Sequence, residues 1–168
     1  MSFNYNETTF ISFAVTSEVA LRDQRLFEVN EGLTTELVDQ LLAQASQRIL
    51  TQLRNTDWWK NYQFGLNSSL NYDMRLLPSV DPDNIKVREQ EFKDLNIYFA
   101  LAEFIYPRIA DFGNPDDSGM TKIKFYSDQY TKLFKEVVES GDWYDYDSDG
   151  SVETAEREPA KLRLVRVR

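Results

Sequence analysis

The stretch "TTELVDQLLAQASQRILTQLRNT", residues 34–56, has the clearest helical pattern in the chain. Its apolar side chains recur every four residues, at Leu37, Leu41, Ala45, Ile49 and Leu53. Because this spacing places them on one side of a helix, we predict an amphipathic helix that buries that face. Thr34 has a side-chain oxygen suited to the N-cap, and Glu36 lies in the first turn, where its charge favours the helix dipole.

Two later segments carry the same periodicity. The first is residues 80–106, "VDPDNIKVREQEFKDLNIYFALAEFIY". Asp81 is suited to cap this helix and Pro82 to occupy its first position, while Pro107 should end or kink it. The second is residues 121–140, "TKIKFYSDQYTKLFKEVVES", and Gly141 after it is a natural C-terminal stop. With residues 34–56, these segments predict three long helices.

The other segments are less regular. Residues 58–80, "WWKNYQFGLNSSLNYDMRLLPSV", are broken by Gly65, Pro78 and an Asn-Ser-Ser cluster, so we predict a long loop or a loose hairpin. Near the N-terminus, "FISFAV" (10–15) is typical of an extended arm and "TSEVALRDQRLF" (16–27) of a short helix. The predicted fold class is mainly α: a helical bundle of three long helices plus a short N-terminal helix, a long inter-helix loop and an extended C-terminal arm.

Composition limits the functions to consider. The chain has 168 residues, 42% of them hydrophobic and 14% aromatic, which is enough for a sizeable core. It has no cysteine and no histidine, which excludes disulfides, thiolate zinc sites and the commonest general base, so an enzyme is not expected. No apolar run approaches the length of a membrane span, and the start "MSFNYNETTF" is unlike a signal peptide. We therefore expect a soluble, unprocessed protein.

The charge is strongly acidic and unevenly placed. The net charge is −9, but the last eight residues carry four basic and no acidic side chains, so the preceding 160 residues carry −13. Such a body repels nucleic-acid phosphates. Sequence-independent binding of DNA over a large surface is therefore not expected.

Residues 145–156, "DYDSDGSVETAE", follow the spacing of an EF-hand loop. Such a loop takes oxygen ligands at positions 1, 3, 5, 7, 9 and 12 and turns on a glycine at position 6, which here is Gly150. A hard divalent cation prefers oxygen ligands and relieves the repulsion among close carboxylates. The candidate ligands for Ca²⁺ or a similar cation are Asp145, Asp147, Asp149, Ser151, Glu153 and Glu156.

A solvated acidic turn is the alternative interpretation of this loop. The preceding helix is predicted to stop at Gly141, and "AERE" before Pro159 is too short for the exit helix of an EF-hand. No second loop of this type occurs in the sequence, whereas calcium sensors move paired helices. A structural cation site therefore fits better than a switch. Trp143, Tyr144 and Tyr146 are predicted to anchor the loop to the helical body.

The final segment, "KLRLVRVR" (161–168), alternates basic and apolar side chains. A strand without a partner strand in its own chain requires one from another molecule, so we consider an arm that pairs with a neighbouring subunit. A disordered charged tail or a protected edge strand is the alternative. The candidate partner-binding residues are Arg163, Leu164, Val165, Arg166, Val167 and Arg168.

Several of these stretches together resemble the head-tail adaptor (connector, head-completion) proteins of tailed bacteriophages. The helical part of the resemblance consists of "VNEGLTTELVDQLLAQASQRILTQLR" ending at "DWW", then "FKDLNIYFALAEFIYPRI" and a third helix. The acidic turn "DWYDYDSDGSVETAE" leading into "LRLVRVR" is similar to the C-terminal region of some phage neck proteins. The chain is longer than the simpler members of that family, and the metal-type loop is an addition.

The resemblance implies a subunit of the virion neck, made in the host cytoplasm. It implies a homo-oligomeric ring of twelve copies, bound to the portal protein on one face and to a tail or tail-completion protein on the other. DNA would pass through an acidic lumen as cargo, and no membrane is involved. The chain would comprise a helical adaptor body (1–140), an acidic EF-hand-like loop (141–160) and a basic arm (161–168). The alternative function is a soluble, monomeric calcium-binding module.

Overall fold

The computed structural model describes residues 3–29, 32–85, 87–114 and 117–157. The predicted mainly helical fold is confirmed, and a small hairpin precedes the helices. The helices are α1 (Thr16–Arg22), α2 (Gln24–Val29), α3 (Thr35–Arg54), α4 (Asp57–Leu66), α5 (Glu89–Ala100), α6 (Tyr106–Ile109), α7 (Ser118–Ser140) and α8 (Thr154–Arg157). The candidate arm, residues 161–168, lies outside the described residues.

The chain divides into two compact units. Unit 1 comprises Met1–Ile49 and Arg88–Glu136, and unit 2 comprises Leu50–Val87 and Val137–Arg168. Helices α3 and α7 contribute residues to both units. In the described part of the chain, no helix has the length and apolar character required to cross a membrane.

Two of the predicted long helices form with nearly the predicted bounds. Helix α3 spans Thr35–Arg54, and the amide of Leu37 donates to the Thr34 side-chain oxygen over 3.3 Å, as expected for an N-cap. Helix α7 spans Ser118–Ser140 and is followed by Gly141, whose φ of 66° lies in the left-handed region that favours glycine.

The second long helix begins later than predicted and extends further. Asp81 does cap a turn, by accepting from the amide of Asp83 over 3.0 Å, but the turn is a three-residue 3₁₀ helix. Ile85 then becomes extended and buried, so the helix restarts as α5 at Glu89. At the other end, a π-helical turn (Leu101–Ile105) leads into α6, which contains Pro107. The wider turn accommodates the missing proline amide, so the helix is not broken at that residue.

The segment predicted as an extended N-terminal arm is one strand of a hairpin. Strand β1 (Asn4–Asn6) pairs antiparallel with β2 (Thr9–Ser12). Glu7 makes the turn with a φ of 55°, a conformation for which glycine or asparagine is the usual sequence signal. Phe3, Phe10 and Phe13 then pack together, with ring centroids 4.9 to 6.2 Å apart.

The interior of unit 1 contains a buried polar connection centred on Asn96. Its amide group donates to the Leu42 carbonyl over 3.0 Å and to the Ser46 hydroxyl over 2.8 Å, and its side-chain oxygen accepts from the amide of Ala14 over 3.3 Å. Asn96 and Ser46 have no exposed surface. These bonds join the hairpin exit, α3 and α5 with every polar group of the Asn96 side chain satisfied.

A second buried polar cluster in unit 1 is centred on Asp23. Lys122 donates to this carboxylate over 2.6 Å, Tyr106 also donates to it, and Tyr126 lies 3.5 Å away. Burial raises the pKa of Asp23, but the bonds from Lys122 and Tyr106 outweigh this effect, and the pKa is lowered overall. The ionised carboxylate therefore stabilises the folded state.

Replacing Asp23 by Asn should reduce the free energy of unfolding by about 2 kcal/mol at pH 7, since charged hydrogen bonds are lost. A carboxyl group with a lowered folded pKa stabilises above its unfolded pKa, near 4, and loses this contribution as the pH falls through its folded pKa. The difference between the two chains should therefore shrink below about pH 4, in urea unfolding at a series of pH values. The exposed Asp128→Asn is the control, and a pH-independent difference would contradict the role of the charge.

The largest correction to the sequence prediction is in unit 2, where the predicted loop or hairpin begins with helix α4, Asp57–Leu66. Thr56 caps it, with its hydroxyl accepting from the Trp59 amide over 3.2 Å. Trp59 and Tyr62 are buried on one face of the helix, and Gly65 falls near its end, where it costs little. Only the part after Leu66 is a loop, and it contains the 3₁₀ turns Ser68–Leu70 and Pro82–Asn84.

Candidate metal centre

The acidic loop lies in unit 2 and begins where α7 ends. A Cβ at Gly141 would lie 2.8 Å from the Arg157 carbonyl oxygen and 3.0 Å from Nε1 of Trp58. The left-handed conformation favours glycine, and this close approach leaves no room for a Cβ. Because Arg157 ends the short helix α8, the segment that enters the loop passes directly beside the segment that leaves it.

Three of the predicted ligands converge in the loop. Carboxylate oxygens of Asp145, Asp147 and Asp149 lie within 4.8 Å of one another. Asp145 is buried, whereas Asp147 and Asp149 are exposed, so the group opens to solvent on one side. This group could hold a metal ion, although exposed acidic groups are common without one.

Asp145 organises the first half of the loop. Its two carboxylate oxygens accept from the amides of Ser148 and Gly150, each over 2.8 Å. Ser148 and Gly150 have positive φ angles of 62° and 96°, which turn their amides inward. The Asp145 amide donates to the Asn84 carbonyl over 2.8 Å, and the Ser148 hydroxyl donates to the Asn84 side chain over the same distance. The loop is thus fixed to the 3₁₀ turn Pro82–Asn84.

Glu156 closes the loop through amide groups. One oxygen accepts from the amides of Tyr146 and Asp147 over 2.8 and 3.4 Å, and the other accepts from the amide of Glu153 over 2.8 Å. The spacing predicts Glu156 as a bidentate ligand, but among the described residues it is not part of the converging group. In this arrangement its carboxylate holds the two ends of the loop together.

The remaining two predicted ligands lie at the exposed side of the loop. The Ser151 hydroxyl donates to Asp149 over 2.9 Å, and the Ser151 amide donates to the same oxygen over 2.8 Å. Glu153 is exposed and is not in the converging group of the described residues. Their roles as ligands stay predictions.

The electrostatics of the loop favour a cation. A hydrogen bond from Asp149 lowers the pKa of Asp147, but desolvation and the charges of Asp149, Glu156 and Asp145 outweigh it, and this pKa is raised. In the described ranges, no lysine or arginine forms an ion pair with Asp145 or Glu156, although both are buried. Among the described residues, the hydrogen bonds to these two carboxylates come from backbone amides, so a bound cation would relieve repulsion in the loop.

An aromatic cluster supports the loop from α4, and we call Trp58, Trp59, Tyr62, Trp143 and Tyr144 the aromatic wall. The Trp59 ring lies 6.0 Å from that of Trp143 and 4.8 Å from that of Tyr144, and Trp58 stacks on Tyr62 at 4.7 Å. Trp143 and Tyr144 are buried, which confirms that they anchor the loop. Tyr146, also predicted as an anchor, has 42% of its surface exposed but contacts the Tyr62 ring at 5.9 Å.

The candidate partner-binding residues 163–168 lie outside the described residues, so their predicted role stays a prediction. The chain matches no protein-family model, no curated protein and no solved structure.

Proposed function

We propose that this chain is a structural subunit of a tailed-bacteriophage neck, a head-tail adaptor that forms a ring between the portal and the tail. The resemblance of its helical segments to adaptor proteins supports assembly into a ring. The charge of −13 before the last eight residues agrees with a lumen through which DNA passes without binding. The basic segment 161–168 is the proposed contact with the portal.

The observation that carries the proposal is an exposed apolar segment in unit 2. Tyr72, Met74 and Leu76 are 59%, 46% and 56% exposed. Tyr72 also has a φ of 57°, a strained conformation for a bulky side chain, so its backbone is held in place. Several exposed apolar side chains in one short segment are typical of protein–protein contacts. We propose that this segment contacts the neighbouring subunit of the ring.

We further propose that the acidic loop binds Ca²⁺ as a structural ion. The converging carboxylates of Asp145, Asp147 and Asp149 support this proposal. So do the buried carboxylates of Asp145 and Glu156, which accept hydrogen bonds from backbone amides of the described residues. The ion would hold the chain reversal between α7 and residues 161–168 in one geometry. This same loop is what favours the second candidate function, a monomeric calcium-binding module.

Light scattering and negative-stain imaging of the purified chain, alone and with portal protein, test the adaptor proposal. We expect rings or portal-bound complexes. Met74→Ser with Leu76→Ser should weaken self-association at least about tenfold, because apolar contact area is lost. Leu21→Ser is the matched control, since Leu21 is 86% exposed and belongs to unit 1.

Deletion of residues 161–168 should abolish docking to the portal and leave the helical circular dichroism unchanged. If the shortened chain still bound the portal with the affinity of the unchanged chain, residues 161–168 would not be the portal contact. If the purified chain were a monomer that does not bind the portal but changes shape when calcium is added, the adaptor proposal would be refuted. That result would favour the calcium-binding module.

A further inference from the structure

Tyr62 of α4 carries a buried hydroxyl group. The residue is 1% exposed, and in the part of the chain that the structure describes its hydroxyl has no hydrogen-bond partner. An unpaired buried hydroxyl costs on the order of 1 to 3 kcal/mol, because it loses its hydrogen bonds to water. A phenylalanine at this position would avoid that cost. The hydroxyl therefore requires an explanation.

Tyr62 lies next to the acidic loop. Its ring lies 6.1 Å from the ring of Tyr144 and 5.9 Å from the ring of Tyr146, the two residues on either side of Asp145. Burial raises the pKa of the Tyr62 hydroxyl, and the negative charge of Glu156 raises it further, with a smaller contribution from Asp145. The hydroxyl is thus in the field of the two buried carboxylates of the loop.

In the described part of the chain, neither carboxylate accepts a hydrogen bond from the Tyr62 hydroxyl. Both oxygens of Asp145 and both oxygens of Glu156 accept from loop amides. A hard cation held by the converging aspartates would take six to eight oxygen ligands, more than the three oxygens, one from each aspartate, that converge here, so it would keep water molecules. A water on a cation is a strong hydrogen-bond donor, and a buried phenol oxygen can accept from it.

We propose that Tyr62 completes the cation site from α4, with its hydroxyl accepting a hydrogen bond from a water bound to the ion. The inference rests on the proposed Ca²⁺ site and extends it from the loop to a helix of the same unit. The ion would then fasten the loop to the aromatic wall. Tyr62 is a positioning residue in this arrangement, since it acts on the ion through water.

The test is Tyr62→Phe, which removes only the hydroxyl. Tb³⁺ is a suitable probe, because the neighbouring tyrosine and tryptophan rings can sensitise its luminescence, and competition with Ca²⁺ gives the calcium affinity. We expect Tyr62→Phe to weaken calcium binding about fivefold, the loss of one water-mediated hydrogen bond. In chelator, its melting temperature should equal or exceed that of the unchanged chain, because the unpaired group is gone.

Tyr146→Phe is the matched control, because its ring contacts the Tyr62 ring and its side chain is partly exposed. It should leave the calcium affinity unchanged. Equal calcium affinity of Tyr62→Phe and the unchanged chain would overturn the role of Tyr62 while leaving the loop site intact. Absence of Tb³⁺ binding to the unchanged chain would overturn both the loop site and its extension, but not the adaptor proposal.

Discussion

Trp59→Ala should lower the free energy of unfolding by about 4 kcal/mol, the range found for large aromatic side chains removed from a core. Trp59 has no exposed surface and lies at the centre of the aromatic wall, in contact with the rings of both Trp143 and Tyr144. Its Nε1 also donates to the Pro78 carbonyl over 3.0 Å, which ties the loop after α4 to the same cluster. The truncation leaves a cavity and an unpaired carbonyl in unit 2.

Two matched variants separate these contributions in urea unfolding. Trp59→Phe keeps most of the ring but loses the bond to Pro78, so it should cost only about 1 to 2 kcal/mol. Trp58→Ala removes a neighbouring, half-buried ring and should cost less than Trp59→Ala. If Trp58→Ala were the more destabilising of the two alanine variants, the cluster would not be centred on Trp59 and the assignment of the core would be wrong.

The sequence predicts those parts of the fold whose signals are local. Helices α3 and α7 have apolar residues repeated over many turns, and their ends carry Thr34 and Gly141. The predictions failed where a short-range signal is ambiguous. Helix α4 has only ten residues, and Gly65 with the following polar cluster suggested a loop. Thr56 followed by Asp57 is the N-terminal signal that would have identified it.

Only those residues of the candidate site that are close together in the sequence could be predicted. Asp145, Asp147 and Asp149 are three alternate residues, so their convergence follows from the spacing of the loop. The contacts of the loop with Asn84 and Tyr62 join segments distant in sequence, and no periodicity relates them. A buried tyrosine is normally assigned to a core. Only the three-dimensional structure shows that the Tyr62 hydroxyl has no hydrogen-bond partner among the described residues.

The division of the chain into two units follows from the same kind of long-range contact. Each unit combines two segments that are separated in sequence. Helices α3 and α7 have an apolar pattern that continues without a break, so the sequence gives no boundary within them. The aromatic residues near 58 and 143 are the closest sequence signal for unit 2, because Trp58 and Trp143 lie 4.9 Å apart.

Replacing Asp147 and Asp149 together by Asn should weaken calcium binding by at least about 100-fold, since the ion loses two of three converging charges. The fold should not change, because an asparagine oxygen can still accept the turn hydrogen bonds from the amides of Asp149 and Ser151. The melting temperature in chelator should therefore be equal to or slightly above that of the unchanged chain, because repulsion between the carboxylates is removed. It should no longer rise with calcium. A calcium-induced rise as large as in the unchanged chain would exclude these carboxylates as ligands.

Two single substitutions in the same assay distinguish between two ligand sets. One is the set predicted from the EF-hand spacing, and the other is the converging group in the structure. Glu153→Gln should have little effect on calcium affinity, because Glu153 is outside the converging group of the described residues. Three amides now donate to the two carboxylate oxygens of Glu156, whereas a glutamine side chain has one oxygen. Glu156→Gln should therefore lower the melting temperature even in chelator. If Glu156→Gln instead affected only the calcium-bound chain, and Glu153→Gln weakened binding as strongly as the aspartate variants, the EF-hand ligand set would be correct. Glu156 would then close the loop through the ion rather than through the backbone.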